Sequence, residues 1–95
     1  MSNKYTLIKD EFSLWEEGQV QHNCVYTYKD RIINGECIIY KYLKDTKHYT
    51  IEIRFNEKLK YTLYQIYDTY NISPTSEDYD EVKTDIDNIN KLIIN

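Results

Sequence analysis

His48-Tyr49-Thr50-Ile51-Glu52-Ile53-Arg54-Phe55 alternates without a break, with Tyr49, Ile51, Ile53 and Phe55 on one side of an extended chain and His48, Thr50, Glu52 and Arg54 on the other. This period of two makes the stretch a β-strand with one face on an apolar core. Working outward, Lys44-Asp45-Thr46-Lys47 reads as a polar turn, and Cys37 to Leu43, rich in Ile and Tyr, as the preceding strand. On the other side Asn56-Glu57-Lys58 makes a turn, and Leu59 to Tyr67 returns as a third strand with Leu59, Tyr61, Leu63, Gln65 and Tyr67 sharing one face. Connections this short join neighbours running in opposite directions, so the three strands form an antiparallel meander.

Upstream, Tyr5-Thr6-Leu7-Ile8 is β-prone and is assigned to an edge strand. Ser13-Leu14-Trp15-Glu16 matches a capping box, which starts a helix at Leu14; Gly18 interrupts it, and Leu14, Trp15 and Val20 turn inward. From Cys24 the spacing Val25, Tyr28, Ile32 predicts a second helix over about residues 24–33, stopped by Asn34-Gly35, with His22 and Asn23 at its N-cap. Downstream, Ile72-Ser73-Pro74-Thr75-Ser76 breaks the strand pattern. Tyr79, Val82, Ile86, Ile89 and Ile93 then mark the apolar face of a terminal helix over about 77–93, which points Asp78, Glu81 and Asp85 at solvent or at a partner. The fold class is α+β, a three- to four-stranded antiparallel sheet with two short N-terminal helices and a C-terminal acidic amphipathic helix, packed mainly on one face.

Ninety-five residues form a single domain over 1–95. The formal net charge of −4 is concentrated at one end, since residues 1–71 carry ten Asp/Glu against ten Lys/Arg while residues 72–95 carry six against two. No basic stripe is present, so direct nucleic-acid binding is not expected. No apolar run reaches membrane-span length and the polar start is not followed by a signal-type apolar region, so a cytoplasmic protein without a membrane segment is expected. Cys24 and Cys37 are too few for a disulfide framework and lack metal-ligand spacing, so reduced thiols and no metal are expected. The absence of Ala and the heavy use of Ile, Lys, Asn and Tyr fit AT-rich coding, as in a low-GC bacterium or its phages and plasmids.

Glu17-Gly18, then His22-Asn23-Cys24-Val25-Tyr26-Thr27-Tyr28, Gly35, the strand segment Tyr49-Thr50-Ile51-Glu52, and Gln65 through Asn71 follow one another in the order of a family pattern. On these motifs residues 14–71 resemble the PcfJ-like family, a domain of conjugative plasmid, phage and other mobile-element proteins. Tyr26 and Asp68 depart from the pattern, each standing where the family commonly has Gly. The resemblance implies the fold and a site more than it implies a reaction.

The expected ligand-binding set is His22, Asn23, Cys24, Tyr28, Glu52, Gln65 and Asn71, which joins the start of the second helix to polar strand positions and suits a polar, nucleotide-like small molecule. Each also has a local role open to it: His22 and Asn23 as helix caps, Cys24 as a packing residue, Gln65 and Asn71 as partners of turn backbone. Three functions compete. The first is a non-enzymatic binding or inhibitor protein of a phage or mobile element, acting in counter-defence through a polar small molecule or, through Asp78, Glu81 and Asp85, a basic host protein. The second is a cysteine-dependent enzyme using Cys24 and His22. The third is an assembly subunit of a conjugation or phage machine. No cofactor is expected, and an oligomer is compatible with all three.

Overall fold

The computed structural model describes residues 4–55 and 60–94, and for residues 92–94 the backbone alone. The chain runs β1 (Tyr5–Leu7), α1 (Glu11–Gln21), a 3-10 turn (Val25–Tyr28), α2 (Lys29–Ile33), β2 (Cys37–Lys44), β3 (Lys47–Phe55), β4 (Tyr61–Tyr67), a second 3-10 turn (Thr69–Asn71) and α3 (Ser76–Ile94). The four strands form one antiparallel sheet in the order β1-β2-β3-β4, which is the expected meander with the expected edge strand beside β2. The α+β class holds. The expected turn at Asn56-Glu57-Lys58 and the expected place of Leu59 on the shared strand face lie outside the described residues, as does the side chain of Ile93. Among the described residues no helix is long and apolar enough to cross a membrane.

Helices cover both faces of the sheet, and this differs from the one-sided packing that the alternation predicts. Registers Ile38↔Ile53, Tyr40↔Ile51 and Tyr42↔Tyr49 put these side chains on one face, where Tyr5, Ile66, Val82 and Ile86 complete a core under α3. The opposite face holds Ile39, which packs with Ile8, Leu14 and Val25 under α1 and the turn that follows it. Thr50 and Glu52, on the polar side of the alternation, are therefore buried as well.

β4 carries an irregularity that the sequence periodicity does not anticipate. Glu52 pairs with Gln65 but Ile53 pairs with Leu63, so Tyr64 is an extra residue in β4, a bulge. Because side-chain direction alternates strictly, one extra residue moves everything beyond it to the other face. Tyr61, Leu63 and Ile66 thus face α3, while Gln65 and Tyr67 face α1, and the single shared face expected for Tyr61, Leu63, Gln65 and Tyr67 is split.

α1 starts earlier than the Ser13–Glu16 box implies. Asp10 is its cap, with Oδ1 accepting from the Ser13 backbone N–H at 2.7 Å and Oδ2 accepting from the Ser13 hydroxyl at 3.0 Å. An acid three residues before Ser13 thus starts the helix one turn sooner and satisfies the Ser13 N–H, where the box would serve the Glu16 N–H. Gly18 does not interrupt the helix; it lies buried on the inner face, where a Cβ would stand 3.5 Å from the Asn23 carbonyl and 3.6 Å from Val25 Cγ1. The buried face is Leu14, Glu17, Gly18 and Gln21, and Trp15 and Val20 are instead exposed, at 46% and 53%.

The second helical segment splits into the 3-10 turn and the five-residue α2, with Val25 buried and Tyr28 and Ile32 half-buried as its stripe predicts. It ends as expected at Asn34-Gly35. Gly35 has φ +75°, its N–H donates to the Ile32 carbonyl at 3.1 Å, and the Glu36 N–H donates to Arg31 at 2.8 Å, a Schellman stop. Nothing lies within 4 Å of a Cβ placed on Gly35, so an alanine there meets only the backbone penalty. Gly35→Ala is accordingly expected to cost about 1 kcal/mol, read as a small shift of the urea midpoint with an unchanged slope; a shift under a few tenths would show that α2 does not depend on this stop.

α3 is anchored by polar contacts at both ends. Asn90 clamps the start of β4 by accepting from the Tyr61 N–H and donating to the Tyr61 carbonyl, both at 2.8 Å. At the other end Asp78, Glu81 and Asp85 face the sheet, not solvent or a partner as the sequence reading has it. Asp78 is 3% exposed and binds Lys44 Nζ at 2.6 Å, Lys47 Nζ at 2.9 Å and the Tyr49 hydroxyl. Glu81 binds Lys4, Lys44 and the Tyr42 hydroxyl, and Asp85 accepts from the Tyr5 hydroxyl at 2.5 Å. The reason is the sheet surface beneath: three tyrosine hydroxyls on β1 to β3, two lysines on β2 and β3, and Lys4 just before β1 meet acids spaced three and four apart on the helix. The acids that α3 presents outward are Glu77, Asp80 and Asp87, and Tyr79 is 41% exposed beside them.

Candidate functional site

The polar side of β3 and the inner face of α1 meet in a continuous buried network. Glu17, 3% exposed, brings both carboxylate oxygens to 2.9 Å from His48 Nε2 and accepts from the Thr50 hydroxyl at 2.6 Å. A carboxylate only accepts, so Nε2 is the donor. Asn23 Nδ2 donates to the Thr50 hydroxyl at 3.3 Å, and its Oδ1 accepts from the Val25 N–H at 3.0 Å, which fixes the tight turn between α1 and the 3-10 segment. Gln21, fully buried, donates to the His48 carbonyl and accepts from the Thr69 hydroxyl at 2.9 Å. Apart from the local Asn23–Val25 bond, each of these ties α1 or its following turn to the sheet or to the loop after β4.

Two residues along β3 from Thr50, on the same face and beside this network, stands Glu52. This carboxylate is 3% exposed; Oε2 accepts from Arg54 Nε at 2.8 Å, and among the described residues Oε1 has no hydrogen-bond donor within range. A buried carboxylate oxygen left without a donor is costly, of the order of 1–3 kcal/mol or more. Glu52 is one wall of a cavity of about 30 Å³ that Asn23, Tyr28, Thr50, Gln65 and Tyr67 also line. That volume holds a water molecule or one small donor group, against the roughly 300–1,000 Å³ of a pocket that swallows a whole ligand. Tyr28, Gln65 and Tyr67 are half-buried, so the walls reach the surface. Burial first, then the Glu52 charge, raises the Tyr28 phenol above its ordinary range, and the phenol therefore stays a donor.

Four of the seven expected ligand residues, Asn23, Tyr28, Glu52 and Gln65, line this cavity. The other three do not. His22 caps the end of α1 in the left-handed region, φ 52°, and its ring stacks on Tyr70 at 4.3 Å. Asn71 is exposed in the second 3-10 turn, also at positive φ, beside that stack. Cys24 is exposed, precedes the 3-10 turn and is absent from the cavity walls. The tight turn after Gln21 explains the separation: the left-handed His22 throws its ring outward while Asn23 turns in. The two departures from the family pattern have local roles, since Tyr26 donates to Glu11 Oε1 at 2.5 Å and Asp68 Oδ1 accepts from the Thr69 N–H at 2.7 Å.

Glu17, Gln21, His48, Thr50 and Tyr67 escape the sequence reading as site residues. Two of them were visible in the family motifs, as the Glu-Gly pair and the Thr-x-Glu strand, and a third signal was the run of polar residues on one side of a strand central to the sheet. Cys37 lies wholly buried beneath, its thiol pushed up to about 11 by burial and then by the Glu52 charge, so it stays protonated at neutral pH. Among the described residues no group of three or more His, Cys, Asp or Glu is placed to hold a metal ion.

A family model described as PcfJ-like protein matches residues 7–83 of the chain. No curated protein and no solved structure gives a significant match.

Proposed function

The chain belongs to the PcfJ-like family, and from that premise we propose that it is a non-enzymatic binding domain of a phage or other mobile element, one that takes a hydrogen-bond donor group of a polar small ligand onto Glu52. The observation that carries this reading is the buried Glu52 Oε1, without a donor among the described residues, on a side chain that lines a small cavity with Asn23, Tyr28 and Gln65. Those neighbours offer both donors and acceptors, so a group such as an amide or ring N–H would find partners on two sides. The body of the ligand would lie outside, against Tyr28 and Tyr67, because the cavity accommodates only one small group. A nucleotide-like ligand agrees with this only in presenting a base edge; the base as a whole does not enter.

Support for binding over covalent chemistry comes from the thiols. Cys24 stands apart from the cavity, and the high pKa of Cys37 withholds the thiolate that a nucleophile needs. Cys24→Ser is therefore expected to leave both stability and biological effect unchanged, read by thermal melting and by the phenotype of the mobile element. Complete loss of effect with an intact fold would sink the binding reading in favour of a cysteine enzyme.

The direct test is native mass spectrometry of the protein purified from its host, wild type beside Glu52→Gln. A small-molecule adduct on the wild type that the variant loses, with melting behaviour retained, is the expected result. An adduct retained equally by Glu52→Gln would remove Glu52 from the site.

A further inference from the structure

Arg31 and Arg54 are the two arginines of the chain, and both line one open cavity of about 440 Å³ together with Gly35, Glu36 and Phe55. From this convergence we infer a second site, one that takes a small phosphate-bearing anion between the two guanidinium groups. Four observations favour it.

Each guanidinium is held in place by a tyrosine ring: Arg31 stands 5.2 Å from the centroid of Tyr28, and Arg54 stands 3.4 Å from that of Tyr64, the bulge residue of β4. Arg54 is further fixed by its Nε bond to Glu52 Oε2, which orients the fork without consuming it, because a guanidinium has five N–H donors. Such restraint lowers the ordering cost that a free arginine meets on binding. Second, among the described residues Arg31 has no carboxylate partner, so its charge is uncommitted. Third, the cavity is of ligand size, unlike the space beside Glu52. Fourth, Gly35 leaves one wall bare: a Cβ there would meet nothing within 4 Å.

Two guanidinium forks suit the several oxygens of a phosphate better than the single edge of a carboxylate. Glu36 opposes the anion, as the acid on the rim of the cavity, and it limits affinity without closing the site. The site adjoins the Glu52 cavity through the Arg54–Glu52 pair and Tyr28, but Arg31, Gly35, Glu36 and Phe55 take no part in that cavity, so substitutions at Arg31 and Glu36 test this site apart from the ligand reading at Glu52.

The test is a two-dimensional ¹H–¹⁵N NMR titration of the full chain with inorganic pyrophosphate, against sodium chloride at matched ionic strength. Shifts confined to Gly35, Glu36, Phe55 and their neighbours, following one saturating curve, are expected for the wild type. Arg31→Gln should weaken binding at least tenfold, Arg31→Lys should fall between, and Glu36→Gln should tighten binding a few-fold. Arg31 is exposed on α2, so the substitution is compatible with the fold, and the same spectra report whether the fold is kept. Shifts no larger than those from chloride, a curve indifferent to Arg31→Gln, or binding of a single-stranded oligonucleotide at these residues without any response to pyrophosphate would each overturn the inference.

Discussion

Asp78→Ala is expected to destabilise the domain by about 3 kcal/mol, enough on its own to lower the melting temperature by roughly 12–24 °C. The carboxylate is 3% exposed and receives Lys44, Lys47 and the Tyr49 hydroxyl, so its removal takes the acceptor from a buried phenol and the counter-charge from Lys47, and leaves Lys44 with Glu81 alone. Lys44 and Lys47 are about a quarter and two-fifths exposed, which lets them turn to water and holds the loss near the lower end of what breaking a buried pair costs. Asp80→Ala, on the outer face of the same helix, serves as the control and should change stability by less than about 0.5 kcal/mol. The two variants compared by urea unfolding decide the matter: equal losses would mean that α3 is held by Val82 and Ile86 alone and that the charge cluster is incidental.

This anchor shows where sequence reading stops. The acidic stripe of the terminal helix was legible, and so was its apolar stripe, but which of the two faces the sheet was not. Helical periodicity fixes spacing, whereas orientation depends on what the sheet offers opposite. Here the sheet offers tyrosine hydroxyls and lysine ammonium groups, and the helix rotates so that Asp78, Val82 and Ile86 point in together while Tyr79 moves out. The sequence contained the hint in Tyr42, Lys44, Lys47 and Tyr49 flanking one turn, yet pairing them with residues some thirty positions away requires the fold.

The candidate site follows the same logic. Alternation in β3 identified the strand and put Thr50 and Glu52 on its polar side, which in a strand is ordinarily the wet one. α1 buries that side by bringing Glu17 and Gln21 where an amphipathic helix has apolar residues, a substitution that no apolar periodicity can reveal. The bulge at Tyr64 then turns Gln65 and Tyr67 toward α1, and register slips of this kind leave no mark in composition. The motif order did bring Asn23, Glu52 and Gln65 forward together, so the resemblance located the cavity better than periodicity did. It also carried along His22, Cys24 and Asn71, which share motifs with the cavity residues but not their direction.

Acid is expected to weaken the α3 anchor from about pH 4 downward, with the Glu81 part lost by about pH 2 and the Asp78 part only below that. Lys4 first, then the Tyr42 hydroxyl and Lys44, hold the Glu81 carboxyl down to about 2, and Lys44, Tyr49 and Lys47, in that order, hold Asp78 well below the usual carboxylate range. Both groups therefore bind protons more weakly in the folded than in the unfolded protein. Their contribution is complete above the unfolded values near 4 and is lost as the pH falls toward the folded values, with a limiting slope of about 1.4 kcal/mol per pH unit for each group. Glu81, about a third exposed and screened by water, will deliver less of this than Asp78. Asp10 and Glu11 are lowered in the same direction at the start of α1, so a background of acid sensitivity remains whatever happens at α3. The Asp78→Asn, Glu81→Gln double variant separates the two. It should be less stable than the wild type at pH 7 and lose distinctly less between pH 4.5 and 2.5, so that the two urea-midpoint curves converge in acid. Parallel curves over that range would show that the carboxylates of α3 gain nothing from the lysines and tyrosines beneath them.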